Sequence, residues 1–332
     1  MKAYIIRRLF FASVLVLLST VIAFTILKLS PGQPGREDFD PRLSKEYIEA
    51  QRRIFGLDRS PVAQYFSWLG VMRLIDSSEA PGLLQGDMGL SIKYKQPVGE
   101  VIQSRLGATL ALSISTLIFT WMVALPLGIW AAMRHYQWPD KVLSFVSFTG
   151  MSTPSFFMAL LLLWLFASRV QWLPPGGLRS LDHESMSWPM QMWDYARHLF
   201  VPVLVLTFGA LAGLQRIMRG NMLEVLRAQY VTTARAKGLN ENKVIYKHAL
   251  RNAVNPLVTI LGFEFAGLFG GAALLENVIN FPGMGQLILE ALKSKDQALV
   301  MSSFLIGSIM LVMGNLLADL LLVWVDPRVS YD

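Results

Sequence analysis

Six apolar runs dominate this sequence, at residues 9–27, 106–133, 142–168, 199–215, 252–275 and 297–325. A helix satisfies its own backbone hydrogen bonds, and roughly 20 apolar residues carry it across a hydrocarbon core of about 30 Å. The first four runs contain no Asp, Glu, Lys or Arg, the fifth contains only Glu264 and the sixth only Asp319. The pattern predicts an all-α integral membrane protein with six transmembrane helices and both termini on one side. Composition agrees, because 53% hydrophobic and 16% charged residues, with a mean hydropathy of +0.44, leave too little polar surface for a soluble globule of 332 residues. The first run follows Lys2, Arg7 and Arg8, as a signal core would. It is longer than such a core and no small-residue cleavage site follows it, so it is read as a span.

Lys and Arg in short loops set the orientation. Residues 216–251 carry Arg216, Arg219, Arg227, Arg235, Lys237, Lys243, Lys247 and Arg251 against Glu224 and Glu241, which places this loop and the N-terminus in the cytoplasm. The segment 31–105 holds ten basic and ten acidic residues, 169–198 three of each, and 276–296 two basic and three acidic. Almost all of the net +7 therefore lies inside, and no aromatic-basic interleaving suggests nucleic acid. The absence of Cys excludes disulfides, thiol catalysis and Cys-based metal sites. It fits a bacterial inner-membrane protein with periplasmic loops.

The chain divides into an N-terminal tail and first helix (1–30), an extracytoplasmic segment (31–105) and a five-helix core (106–332) that includes the cytoplasmic loop 216–255. Within the external segment, helices are predicted over 41–55 and 62–75, a loop over 76–89, and the start of the second span over 98–105. Pro126, Pro154, Pro202 and Pro256 fall in or beside spans and mark kinks. Gly262, Gly267, Gly270, Gly271, Gly307 and Gly314 allow close helix approach, predicting a packed bundle and a second subunit.

Residues 230–256, YVTTARAKGLNENKVIYKHALRNAVNP, form a basic, helix-forming stretch in the cytoplasmic loop. Gly238 serves as a helix stop and turn, and 241–250 places Val244, Ile245, Ala249 and Leu250 in an apolar stripe beside Lys243 and Lys247. Contact with anionic lipid explains the charge but not the apolar face. A docked cytoplasmic partner explains both.

Here the sequence resembles the permease subunits of bacterial ATP-binding-cassette importers, in the dipeptide, oligopeptide and nickel branch. RRLF (7–10), FGLDRSPVAQY (55–65), GDMGLS (86–91), WLPPGG (172–177), FPGMG (281–285) and DPR (326–328) look like that branch and occur in its order. Two departures stand out. The wider superfamily signature opens Glu-Ala-Ala where this chain has Thr232, Thr233 and Ala234, and 74–85 looks like an insertion.

The resemblance implies a type I importer permease fold whose cytoplasmic loop forms short coupling helices seated in a groove of an ATPase. The matching positions are Ala234, Arg235, Ala236, Lys237 and Gly238, then His248, Ala249, Leu250, Arg251 and Asn252; Glu241, Val244 and Ile245, from the helix read between them, are expected at the same contact. It further implies that this chain forms half of a path for peptides, or alternatively for nickel or another small solute, delivered by an extracytoplasmic solute-binding protein. A second homologous permease chain and two ATPase subunits would complete the assembly in membrane lipid. No cofactor is expected on this chain, ATP and Mg belonging to the partner subunits. The absence of a G-x-x-x-x-G-K-[ST] loop agrees. Pro174, Pro175, Phe281 and Pro282 are expected at an outer gate.

Glu264 and Asp319 are expected about 10 to 12 Å inside the cytoplasmic boundary, at about 1.5 Å per residue. Such groups face a bundle interior or an aqueous cavity, either on the translocation path or as helix-to-helix partners. His135, His183, His198 and His248 lack metal-ligand spacing, and His183 beside Asp182 and Glu184 reads as a solvated loop. No H-E-x-x-H or G-x-S-x-G occurs. An ATP-independent secondary transporter would show inverted halves and a midplane ion site; no internal repeat is visible and only Glu264 would serve such coupling. An intramembrane enzyme would need paired catalytic polar residues within spans, and beyond the two acids there are none.

Overall fold

The structure is a computed structural model that describes residues 2–31, 45–267 and 272–325. Parts of the external turn-rich segment, Gly270, Gly271 and the terminal DPR lie outside the described residues. Helices account for the regular structure, and among the described residues the only β pairing is an isolated bridge between Leu90 and Pro97.

The first span is α1 (Lys2–Leu29). The external segment contributes α2 (Lys45–Ile54), α3 (Pro61–Leu69) and α4 (Val71–Ile75). Sequence reasoning expected one helix over 62–75; the structure breaks it at Gly70, whose φ of 81° is left-handed. A Cβ there would lie 2.0 Å from Gln85 Oε1. Gln85 donates to Gly70 O and accepts from Gly82 N, so the segment 74–85 folds back onto this break.

α5 (Val98–Met133) and α8 (Trp188–Leu226) pack along one another as the central pair. Between them run α6 (Trp138–Ser152) and α7 (Ser155–Leu163), the latter continuing as a π-helical turn to Arg169. The short helices α9 (Gln229–Ala236), α10 (Glu241–Lys243) and α11 (Leu250–Ala253) follow, with a π-helical turn over Val244–Ala249. The chain ends with α12 (Asn255–Gly267), α13 (Ala273–Val278), α14 (Met284–Ser294) and α15 (Gln297–Val325). α15 packs against both α1 and α12.

Among the described residues, four helices are long and apolar enough to cross a membrane: Phe10–Leu29 within α1, α5, α8, and Gln297–Leu317 within α15. The α6–α7 pair adds a fifth crossing if it counts as one bent span, with 102° between its halves. The bend has a local cause. Proline disfavours helix at the residue before it, and Thr153, ahead of Pro154, is extended at φ −90° and ψ 124°.

The expected fifth run, 252–275, is not one continuous helix among the described residues. The run is interrupted at Val254, between α11 and α12, and the described part of α12 covers 13 residues, about 20 Å at 1.5 Å each. α8 departs in the opposite sense. Its 39 residues extend beyond the apolar run 199–215 at both ends, so Arg216 and Arg219 sit on helix rather than on a loop. Large apolar side chains, including Leu15, Leu18, Phe145 and Phe157, remain exposed on the outside of the bundle, as lipid contact allows.

Candidate functional site

α5 positions three features along its length: a pair of interlocked loops near its start, a cavity along its middle, and the α9–α11 unit at its far end. Each draws on residues distant in sequence.

The loop 172–177 meets the backbone at Ile279, two residues ahead of the loop 281–285. Gly177 N donates to Ile279 O at 2.9 Å. Gly176 has a φ of 153°, and a Cβ on it would lie 2.2 Å from the same oxygen, so only glycine permits this approach. Phe281 is fully buried beside Leu112, Leu162 and Val205, Pro174 and Pro282 are half-buried, and Pro175 is exposed. The four residues expected at a gate are thus gathered at one junction.

Beneath that junction sits Glu276, which sequence reasoning passed over. It is fully buried, and its carboxylate accepts from Ala272 N at 3.1 Å and Gln286 N at 2.7 Å. Added Cβ atoms at Gly283 and Gly285 would lie within 2.5 and 2.9 Å of the carboxylate oxygens. The glycines of FPGMG therefore exist in part to admit this side chain. A buried ionised group needs such N–H donors to offset its lost hydration.

The cavity lies between α5, α8 and α12 and measures about 390 Å³. Apolar residues such as Leu117, Leu206 and Ile260 line it, interrupted by Ser113, Thr116 and Thr120 on α5 and by Glu264 and Glu276. Thr120 Oγ1 donates to Thr207 Oγ1 at 3.2 Å. Of the two intramembrane acids named from the sequence, Glu264 forms part of the cavity wall and Asp319 does not. Asp319 pairs with Arg8, tying α15 to α1.

At the far end, Val231, Ala234, Val244, Ile245 and Ala249 form one core with Met218 and Met222 of α8 and Ile129 and Ala132 of α5. This corrects the docking face expected from the apolar stripe. Val244 and Ile245 are 0% and 3% exposed and turn into their own bundle, and Ala249 with them. Val244 and Ile245, withdrawn from water, contribute about 1.5–3 kcal/mol each and Ala249 about 0.8, which seats the unit firmly. The opposite face is polar: Arg235, Ala236, Lys237, Gly238, Glu241, Tyr246, Lys247 and Arg251 are exposed, with His248 and Leu250 half-buried.

Local contacts hold that face in shape. Gly238 is left-handed at φ 74°, ending α9 as the sequence predicts. Arg235 Nη2 donates to Glu241 Oε1 at 2.7 Å across the turn, and Asn240 Oδ1 accepts from Asn242 N. The Arg235 guanidinium holds the Glu241 carboxyl below its usual range. Asn252 donates to Tyr230 OH, and Asn221 on α8 donates to Ala253 O.

Other polar anchors carried no local signal in the sequence. Asp140 accepts from Arg219 Nε and Nη2, both at 2.7 Å, and from Tyr136 N, pinning the α5–α6 turn to α8. His183 is buried rather than solvated: its Nδ1 lies 2.7 Å from Asp194 Oδ2, while Ser180 donates to the same carboxylate from N and Oγ. No group of three or more metal-ligating side chains occurs among the described residues. Where α14 meets α15, Asp296 accepts from Ser91 Oγ, Lys93 N and Leu299 N, and Glu290 accepts from Lys93 Nζ and Tyr94 OH. Burial pushes the Asp296 carboxyl up against the pull of its donors. Burial and the Glu290 contact push Tyr94 to about 12.

Known proteins place this architecture. The family model "Binding-protein-dependent transport system inner membrane component" matches residues 124–331, and its N-terminal companion matches residues 1–113. The chain is 37% identical to the oligopeptide transport system permease protein AppB of Bacillus subtilis, over the full length of both. It is 32% identical to the dipeptide transport system permease protein DppB of Alkalihalophilus pseudofirmus, again over the full length of both. In fold it is similar to a chain of the inward-facing MetNI methionine ABC transporter, with a TM-score of 0.53 and 19% identity over 68% of this chain and 96% of that one. The chain belongs to the family of inner-membrane components of binding-protein-dependent transport systems.

Proposed function

We propose that this chain is one transmembrane half of an ATP-driven importer, carrying peptides released by an extracytoplasmic binding protein. Peptide cargo follows from relatives named for oligopeptide and dipeptide transport that match the whole chain. In this reading six spans are completed by α12 and the segment that follows it, and a second, homologous permease closes the path. The α9–α11 end is cytoplasmic, the interlocked loops form the outer gate, and Glu264 faces the path. This chain does not hydrolyse ATP; two partner ATPases do.

The observation that carries the reading is the two-sided α9–α11 unit. Its apolar side is locked into the cores of α5 and α8, while its polar face is exposed, stiffened and covered by no other element among the described residues. A device that transmits movement needs both properties. Arg235, Ala236, Lys237, Gly238, Glu241, His248 and Leu250 would meet the ATPase, and Ala234, Val244 and Ile245 would convey its movement inward. Purification of the chain from its native membrane in mild detergent tests this. Recovery of a second permease and of subunits with a phosphate-binding loop, with ATPase activity, is expected; recovery of the chain alone and inactive would refute it.

A further inference from the structure

The cavity wall contains no Lys, Arg or His among its described residues, and its two charges are both carboxylates. They are not equivalent. Glu276 is fully buried and engaged by Ala272 N and Gln286 N. Glu264 is exposed, lies on the wall, and has no hydrogen bond or ion pair with any described residue. The hydroxyls of Ser113, Thr116 and Thr120 share the cavity, and Thr116 Oγ1 is buried with no hydrogen-bond partner among the described residues. Trp121 adds an aromatic ring to the same wall.

A space lined in this way lacks a positive charge and has unused acceptors. An inorganic divalent cation would need six or more oxygen ligands, and no cluster of metal-ligating side chains is present among the described residues. A primary ammonium needs only one counter-charge and up to three acceptors, and it is attracted to aromatic faces. A cavity of about 390 Å³ accommodates such a group with part of the chain that carries it.

We infer that this cavity binds the ammonium group of cargo in transit, with the Glu264 carboxylate as counter-ion and the α5 hydroxyls as further acceptors. For a peptide that group is the free N-terminus, so the permease itself disfavours N-blocked and anionic solutes. The inference rests on reading the cavity as the translocation path.

The chain has no cysteine, so a single one introduced by Ala210→Cys or Leu117→Cys places the only thiol of this chain on the cavity wall. In the assembled transporter, without ATP, each variant would be treated with a cationic and with an anionic methanethiosulfonate of similar size. With rates normalised to a free thiol, the cationic probe should react about tenfold faster than the anionic one, the scale of enrichment a single focused charge produces. Glu264→Gln should reduce that preference to about threefold or less, and Glu264→Asp should retain it. A dipeptide with a free N-terminus should slow the cationic probe, and its N-acetylated form should not.

An unchanged preference in Glu264→Gln, equal protection by the acetylated peptide, or no reaction at either cysteine would overturn the proposal. The measurement needs neither ATP hydrolysis nor uptake. Loss of the importer reading would show instead as absent ATPase partners with the charge preference intact.

Discussion

Gly176→Ala probes how the two loops are joined. The new Cβ would begin 2.2 Å from Ile279 O and 3.0 Å from Ile279 C, while ordinary contact starts near 3.4 Å. The obstacle is backbone, so no rotamer change relieves it, and the loops must part by about 1 Å. That movement takes the 2.9 Å bond from Gly177 N to Ile279 O beyond hydrogen-bonding range. Losing one backbone bond costs about 1 kcal/mol, and holding alanine at a φ of 153° adds about 1–3 kcal/mol. The total is about 2–4 kcal/mol, borne locally because Leu173, Ile279 and Phe281 stay buried in their apolar cluster. Hydrogen exchange on purified protein is the assay. Amides in peptides covering 174–180 and 279–283 should lose about a hundredfold in protection, the equivalent of about 3 kcal/mol, while those in 218–253 stay unchanged. Gly209→Ala, in a helix with nothing within 4 Å of the new methyl, serves as the silent control. Wild-type protection in Gly176→Ala would refute the interlock.

Asp140→Asn removes the negative charge and one of the two oxygens that accept from Arg219, leaving the guanidinium half-paired, and should lower stability by about 2–4 kcal/mol; adding Arg219→Gln should cost little more, which a double-mutant cycle by thermal melting would check. Gly238→Val should abolish uptake while membrane insertion is kept, and Gly238→Asn should retain function, since the left-handed φ of 74° with open space around it penalises conformation rather than size. At Glu290 burial opposes ionisation, but hydrogen bonds from Lys93 and Tyr94 outweigh it and hold the carboxyl below its usual range. The folded pKa is thus lower than the unfolded one, so the contribution is present above the ordinary carboxylate pKa of about 4.3 and is lost as pH falls through the depressed value. Melting across that window should show wild type losing about 1 kcal/mol more than Glu290→Gln.

The long spans were legible because an unbroken apolar run constrains a membrane chain more strongly than any other pattern, and α1, α5, α8 and α15 lie where such runs predict. Pro154 signalled a kink, and the extended Thr153 ahead of it makes the bend, but the angle of 102° carried no signal in the sequence. The run 252–275 is apolar enough for a span, yet apolarity does not report helix continuity, and the run is interrupted at Val254 between α11 and α12. The stripe at Val244 and Ile245 was correctly read as apolar and wrongly read as outward, because periodicity identifies a face and not its neighbour. Asp140 with Arg219 and Asp194 with His183 join groups whose spacing matches no local motif. Glu276 carried a readable hint, an acid just ahead of a glycine-rich turn whose two glycines make room for it.

The most direct test of the ATPase-facing role is single-cysteine cross-linking in native membranes, which the cysteine-free sequence allows. Lys237→Cys lies on the exposed face of the α9–α11 unit, and Leu181→Cys is fully exposed on the segment between α7 and α8. We expect a short bifunctional reagent to join the first to a subunit carrying a phosphate-binding loop and never the second. Cross-linking of that subunit from position 181, or from neither position in an assembly that hydrolyses ATP, would contradict the assignment of the α9–α11 face.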